Sequence, residues 1–503
     1  MMNYYLGIDL GGTMAKAAIF DQNGNEIAIG EKKLKIIYPG KDMVERNIIE
    51  AKEAVYHVIE KALQYSKINS TEIKGIGVTG QANGIYLFDR DGNPVRNAIL
   101  SSDTRAKKYV KKWTEDGTWE KILPKIRQQI WAGNVPALIA WLKDNEPEVL
   151  ERTEVIVTAK DYVRYLLSGE FAIEVTEASG IASMDQEKEV ITQEIYNELG
   201  ISEYLDCIPK RILDCTEIAG GVTKECANLT GLKEGTPVVG GQMDTGASII
   251  SAGVTKEKQL GVIVGTWGIN SIVKHQAVAD ENIFMVYKYC IPDMYCIMEG
   301  SSTSATNLEW FIEHCMKDVD SEQIYSVCNQ LVEESDYHDT ILFLPFLYGS
   351  NVGPDAKSAF IGLEAIHGRG EMLRAIYEGV AFCHKYHIEK LYGYVDSIDV
   401  VRMAGGAARS AVWMQMFSDI LGLPVEVSKA EELGAMGVAL EAAVGTGLFG
   451  SITEAAEQWV KIKAVYYPDI EKSEYYKKKY EIYKKIVECL SNVWKDVDRL
   501  NDI

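Results

Sequence analysis

The chain has 503 residues, 47% of them hydrophobic, which exceeds the roughly 250–300 at which a single core stops growing, so two domains are expected. Its 73 acidic residues outnumber 52 basic ones and give a net charge of −21, excluding nucleic acid and anionic membrane as main partners. An anionic nucleotide must then be held by local devices: backbone N–H groups, a helix dipole or a bound cation.

Residues 4–20, YYLGIDLGGTMAKAAIF, predict an apolar strand, Asp9, a Gly-Gly-Thr turn and a second apolar strand. After the turn cluster 21–25, the segment 42–65 repeats Ile48, Val55, Val58, Ile59 and Leu63 at helical intervals. A buried strand at 74–80 ends in Gln81-Ala82-Asn83-Gly84, and a hairpin from 85–88 and 98–100 runs into Ser101-Ser102-Asp103-Thr104-Arg105. Residues 105–231 read as mostly helical, with helices at 136–142 and 159–167, the second stopped by Gly169. Strand 236–240 leads to Asp244 and a helix-like run. Strands 260–264 and 269–273 then flank a second glycine turn, Gly265-Thr266-Trp267-Gly268. Helix 302–315, strand 340–347, helix 370–391 and strand 400–404 follow, the last ending in Gly405-Gly406-Ala407. Helix 410–421, strand 424–427 and helix 434–444 complete the second half.

The tail, 475–500, sets Tyr476, Tyr480, Tyr483, Val487, Leu490, Trp494 and Val497 at steps of four and three. A coiled-coil seam has this spacing, but under three or so heptads it is expected to be a terminal helix packed on its own chain. The nine cysteines contain no CxxC pair and form no zinc spacing with the seven histidines, which reads as buried thiols in a reducing cytoplasm. The first strand begins without a basic or apolar leader, and no run approaches 18 apolar residues, so a cytoplasmic location without membrane spans is expected.

A Gly-Gly-Thr turn suits phosphate because glycine lets backbone amides approach oxygens without a Cβ in the way, and threonine adds a donor; any tight β-turn also uses glycine. Two copies, Gly11-Gly12-Thr13 and Gly265-Thr266, imply two related lobes gripping a polyphosphate. Gly405, Gly406 and Ala407 are a strand-to-helix turn, required by packing alone or offering a flat surface to a purine ring; the full GxGxxG spacing of a dinucleotide fold is missing. Asp9, at a strand end beside the first turn, is either a turn cap or a Mg²⁺ ligand. Asp244 is an N-cap, a general base accepting the proton of an attacking alcohol, or both. Gln81, Asn83, Asp103 and Arg105, each singly a loop residue, together have the profile of a site that bonds several hydroxyls.

Seven segments resemble, in order, the signatures of the FGGY carbohydrate kinases: LGIDLGGTMAKAAIFDQNG, GIGVTGQANG, NAILSSDTRA, GTPVVGGQMDTGA, VIVGTWGINS, LPFLYGSN and MAGGAARSAVWMQMFSDILGLPVEV. The resemblance covers about residues 5–447. It implies an α/β fold of two actin-like, ribonuclease-H-like lobes with a cleft between them, an N-terminal sugar-binding lobe at 1–248 and a C-terminal nucleotide-binding lobe at 249–503, with a terminal helix about 471–500 packing back across them. It further implies ATP and Mg²⁺ with a sugar or polyol as substrates, and a homodimer is compatible with it. By matching positions, Gly11, Gly12 and Thr13 would be the first phosphate loop, Gly265 and Thr266 the second, and Gly405, Gly406 and Ala407 the adenosine loop. Asp9 would be the acidic residue of the Mg²⁺ site and Asp244 the catalytic base; Gln81, Ala82, Asn83, Asp103 and Asp244 would surround the sugar. SSDTRA, FLPFLYGSN and AIYEGV are most similar to L-xylulose kinases. D-Xylulose kinases usually carry Gln-Met-His-Gly and Trp-Asn-Asp where this chain has Gln81-Ala82-Asn83-Gly84 and Ser101-Ser102-Asp103, and the Arg-Glu pair of glycerol kinases is missing. L-Xylulose is therefore the expected substrate, ahead of another pentulose, erythritol or gluconate; the alternative of another class is a non-catalytic actin-like ATPase or sugar sensor.

Overall fold

The two apolar runs on either side of the first glycine turn become strands β1 (Tyr4–Leu10) and β2 (Met14–Asp21), paired antiparallel from Tyr4 opposite Asp21 to Leu10 opposite Ala15. They belong to a computed structural model that describes residues 2–353 and 355–499. A third strand that the sequence pattern did not announce, β3 (Glu26–Lys33), pairs antiparallel with β2; its outer half is exposed and charged, which hides the apolar alternation. β4 (Ile73–Gly80) runs parallel to β1, and β5 (Ile218–Gly221) and β6 (Pro237–Val239) complete a six-stranded sheet in the order β5-β6-β4-β1-β2-β3.

The helix expected within 42–65 spans Ile48–Ser66, because Asn47 caps it by accepting from Ile49 N–H and Glu50 N–H. Its buried face, including Val55, Val58 and Ile59, joins the core on the sheet. A second helix on this sheet, Leu433–Gly445, comes from the far end of the sequence. It lies so close to β1 that a Cβ on Gly7 would stand 1.8 Å from the Ala435 carbonyl oxygen, and one on Gly77 1.9 Å from that of Val438. Glycine in the middle of both strands is thus the condition for helix and sheet backbones to touch.

Two compact units result. Unit 1 comprises residues up to 255, 273–297 and 430–461; unit 2 comprises 256–272, 298–429 and the chain from 462. The stretch 105–231 is less helical than its pattern suggests, since short strands such as Val155–Val157 interrupt its helices. The expected hairpin forms irregularly: it closes through the bridges Ile85 to Ile99 and Phe88 to Pro94, while Tyr86–Phe88 also pairs with Val155–Val157 and Ala98–Ile99 with Glu45–Arg46.

Unit 2 repeats the strand arrangement. β7 (Gln259–Val264) pairs antiparallel with β8 (Gly268–Lys274), which neighbours β9 (Tyr295–Ser301); β10 (Val400–Ala404) runs parallel to β7, β11 (Val425–Ser428) parallel to β10, and β12 (Ile462–Tyr466) antiparallel to β11. A seventh strand, Met285–Lys288, lies beside β9; the other six, in the order β9-β8-β7-β10-β11-β12, match β3-β2-β1-β4-β6-β5, and the fold is α/β with two actin-like, ribonuclease-H-like lobes. The strand expected at 340–347 is shorter, Leu342–Leu344, and helix 302–315 starts at Thr306.

The tail is the helix Ile470–Arg499 and packs within unit 2. Tyr476, Tyr480 and Tyr483 surround Phe382 at ring-centroid distances of 6.3, 5.6 and 5.5 Å, and Lys479 forms an ion pair with the buried Glu378 at 2.6 Å. Val497 is exposed and Leu500 lies outside the described residues. Six of the nine free cysteines are buried, but Cys315 and Cys489 are exposed, a correction to the uniform burial expected. Among the described residues no His, Cys, Asp and Glu cluster is arranged to hold a metal by itself, and no helix is long and apolar enough to cross a membrane.

Candidate active site

In unit 1 the three neighbouring strands β6, β4 and β1 are mutually parallel, so their carboxyl ends open on the same edge of the sheet. The residues following them, Asp244 after β6, Gln81 after β4 and Asp9 to Thr13 at the end of β1, are therefore neighbours although far apart in sequence. Two hydrogen bonds tie these ends together: Thr79 Oγ1–H donates to Gln242 O at 2.8 Å, and Gln81 N–H donates to Leu10 O at 3.0 Å. Gly241, with φ of +74°, lets the chain turn against Val78, whose carbonyl oxygen a Cβ there would meet at 1.9 Å.

Asp244 is the first residue of the helix Asp244–Ser251, and its Oδ1 accepts from Thr245 N–H at 2.7 Å. Burial raises its carboxyl to about 7, and the negative charge of Asp9 adds to the rise. Asp9 is itself pushed up to about 6 by burial, opposed by Lys16 and reinforced by Glu432. Lys16 stands opposite Asp9 in the β1–β2 pairing but gives its ammonium to Glu432, at 2.8 Å. The Asp9 Oδ1 atom is consequently buried with no hydrogen-bond partner. A carboxylate left in that state beside a glycine turn fits a cation, directly or through its water.

The first turn keeps Gly11 and Gly12 partly exposed and Thr13 exposed. Gly11 N–H closes the turn on Met14 O at 3.0 Å, and a Cβ on Gly12 would lie 3.8 Å from Gln81 Oε1. Gln81 Nε2 donates to Ser101 Oγ at 2.6 Å while its Oε1 is buried without a partner; Gln81 and Ala82 both remain partly exposed.

Asn83 and Asp103 are held differently from Gln81. Asn83, 3% exposed and with φ of +60°, takes the Glu177 carboxylate on its N–H, donates Nδ2 to Gly180 O and accepts from Asn134. Asp103, fully buried, accepts from Arg105 N–H, Arg105 Nε and Val44 N–H. A hydroxyl could reach either only by displacing these partners, so both act first as supports of the loops that carry Gln81 and Ser101. Behind them lies a layer of fully buried charge: Lys160 pairs with Asp161 at 2.7 Å and Glu174 at 3.4 Å, and Arg164 with Asp161 at 2.9 Å. Breaking such a layer costs more than its net worth, because it strands a charge away from water.

In unit 2 the same topology brings the ends of β7 and β10 together. Gly265 and Thr266 are exposed or partly so at the β7–β8 turn; Gly405 and Gly406 follow β10, while Ala407 is buried. Gly405 has φ of +93°, and a Cβ there would meet Val264 O at 2.6 Å, so the strand-to-helix turn is pressed against the end of β7. The carbonyls of Gly265 and Thr266 are fixed by Ala305 N–H at 2.9 Å and Ser304 N–H at 3.2 Å. Ser304 in turn contacts His384, whose other nitrogen contacts Asn270.

Sequence reasoning did not single out Arg46. It is 1% exposed, follows Glu45 in a two-residue strand, and donates Nη2 to Gly11 O at 2.8 Å and to Gly12 O, and Nη1 to Tyr86 OH at 3.1 Å. No motif or periodicity marks it, because its partners Gly11, Gly12 and Tyr86 lie 34 to 40 residues away in sequence.

Family models described as the FGGY family of carbohydrate kinases match the chain at residues 4–251 (N-terminal domain) and 260–446 (C-terminal domain). The L-xylulose/3-keto-L-gulonate kinase of Escherichia coli is 35% identical over 97% of this chain and 98% of its own length, and the xylulose kinase of Bacillus subtilis is 28% identical over 96% and 97%. Among solved structures, xylulose kinase from Rhodospirillum rubrum superposes with a TM-score of 0.87 at 23% identity, covering 98% of this chain and 100% of that one. Gluconate kinase from Lactobacillus acidophilus superposes with 0.89 at 22%, covering 99% and 100%.

Proposed function

Since the chain belongs to the FGGY family of carbohydrate kinases, a sugar phosphotransferase acting on a sugar and ATP, we propose that it phosphorylates a primary hydroxyl of a short ketose, L-xylulose, with Asp244 as the general base. The observation that carries this reading is the convergence of Asp9, the Gly11–Thr13 turn, Gln81 and Asp244 at one edge of the unit 1 sheet. The name of the Escherichia coli relative supports the substrate, and its second substrate, 3-keto-L-gulonate, belongs in any panel.

Asp244 would orient the acceptor hydroxyl and take its proton as the O–P bond forms. A carboxylate whose neutral form is favoured by burial is a stronger base than one in water, the direction a base at neutral pH needs. The N–H groups of Gly12 and Thr13, and of Thr266 in the second turn, would donate to phosphate oxygens that the side-chain-free Gly11 and Gly265 let approach, and Gly405, Gly406 and Ala407 would lie along adenosine. Asp9 would hold Mg²⁺, whose charge, when bound, offsets that of the phosphates. Gln81, with Ala82 and Ser101, would bond the sugar, while Asn83 and Asp103 would support that surface.

The test ranks pentuloses, hexuloses, polyols and aldonates by kcat/KM and repeats the best with Asp244→Ala. L-Xylulose should lead, and the variant should lose roughly 10²–10⁴-fold in kcat, the worth of a positioned base. Near-normal turnover in a folded D244A protein, or ADP release indifferent to every sugar, would overturn the reading.

A further inference from the structure

Arg46 is the one arginine of the unit 1 site held by neutral groups. Arg105 and Arg164 each pair with a carboxylate, whereas Arg46 forms no ion pair among the described residues; its neighbour Glu45 is taken by Arg96 and Arg105. Its acceptors are two peptide carbonyls and a phenol, and its Nε is buried without a partner. A buried guanidinium with no counter-charge is unfavourable by itself, so the apoprotein lacks the partner that this position suits.

The carbonyls it holds show what that partner is. The Gly11 carbonyl belongs to the peptide whose N–H is that of Gly12, and the Gly12 carbonyl to the peptide whose N–H is that of Thr13. Among the described residues neither N–H has an acceptor, while Gly11 N–H is used by Met14. A charge-assisted bond on each carbonyl polarises its peptide and strengthens the N–H at the other end. Two free, polarised donors with a buried positive charge behind them form a concave anion receptor.

We propose that Arg46 is a positioning residue for nucleotide, which orients and polarises the Gly12 and Thr13 amides and takes the polyphosphate as its missing counter-charge. This rests on reading Gly11–Thr13 as a phosphate turn. Arg46 acts through the turn and touches no reacting atom.

The experiment compares wild type with R46Q, and with R46M as a second neutral variant should one fail to fold. It measures the melting temperature of the apoprotein, the shift caused by ADP with Mg²⁺, and KM for ATP and sugar. Removing an uncompensated buried charge should leave the apo melting temperature unchanged or raised, abolish most of the ADP-induced shift, raise KM for ATP about tenfold or more, and leave KM for sugar within about twofold. A merely structural arginine gives the opposite: a lower apo melting temperature with the ADP shift and KM for ATP intact, and that result overturns the proposal. G12A, whose Cβ would lie no nearer than 3.8 Å to any described atom outside its two chain neighbours, separates the two readings. If G12A leaves KM for ATP unchanged, the phosphate-turn reading fails, and Arg46's role with it. If G12A raises KM for ATP while the Arg46 variants do not, only the role of Arg46 fails.

Discussion

His384 should make unit 2 sensitive to acid in a way that one substitution removes. Its ring is 2% exposed and hydrogen-bonded on both sides, Nδ1 to Asn270 Oδ1 at 2.8 Å and Nε2 to Ser304 Oγ at 2.9 Å. These partners suit the neutral ring, with Nδ1–H donating to Asn270 and Nε2 accepting from the Ser304 hydroxyl. Burial, helped by His387, pushes its pKa from 6.5 down to about 3; His387 itself contacts Glu299 at 3.0 Å, which Lys390 also pairs at 3.1 Å. Between pH 6.5 and 3 the unfolded chain binds a proton here that the folded chain refuses. Stability is therefore full above 6.5 and falls by about 1.4 kcal/mol per pH unit below it, or about 2 kcal/mol at pH 5. Urea unfolding of wild type and His384→Gln at pH 8, 6 and 5 isolates the group, since other titrations cancel in the difference. The gap between the two proteins should narrow by about 2 kcal/mol from pH 8 to pH 5. A constant gap would show that the folded protein protonates this imidazole as readily as the unfolded chain does, and that the Ser304–His384–Asn270 arrangement is misread.

Two further substitutions probe the frame of the site. Gly7→Ala places a Cβ 1.8 Å from Ala435 O where real contacts do not fall below 3.0 Å, so helix Leu433–Gly445 must move by more than an ångström; a loss of about 3 kcal/mol or more by urea titration is expected, and a wild-type midpoint would show that the helix does not lie on β1. Lys479→Met removes the ammonium 2.6 Å from Glu378, which is 1% exposed, and leaves that carboxylate to Arg374 at 3.6 Å and Tyr476 at 3.2 Å; it should cost about 3 kcal/mol in unfolding free energy, and no change would mean that the tail helix is not docked there.

The parts of the site that the sequence exposed are those written within a few adjacent residues. A strand, a carboxylate and a glycine turn sit side by side at Asp9–Thr13, and a turn's need for glycine is a local property of the backbone. The polar residues Gln81, Asn83 and Asp103 were equally visible after their strands, but their neighbours were not. Gln81 faces the first turn, whereas Asn83 and Asp103 are occupied by Glu177, Asn134, Arg105 and Val44, so three similar residues divide into one reachable group and two supports. Strand β3 escaped notice because an edge strand with an exposed, charged end carries half the apolar alternation that marks a strand.

By itself the sequence determined the two-lobe α/β class, the two glycine turns and the carboxylates Asp9 and Asp244, because strand period, turn chemistry and a family's ordered motifs are all short-range signals. Only the tertiary structure decided that Leu433–Gly445 belongs with unit 1, that Gly7 and Gly77 are glycine for its sake, and that Arg46 stands uncompensated behind the first turn. Each of these depends on backbones far apart in sequence approaching closely, and a residue's neighbours across that distance are set by the packing of whole elements.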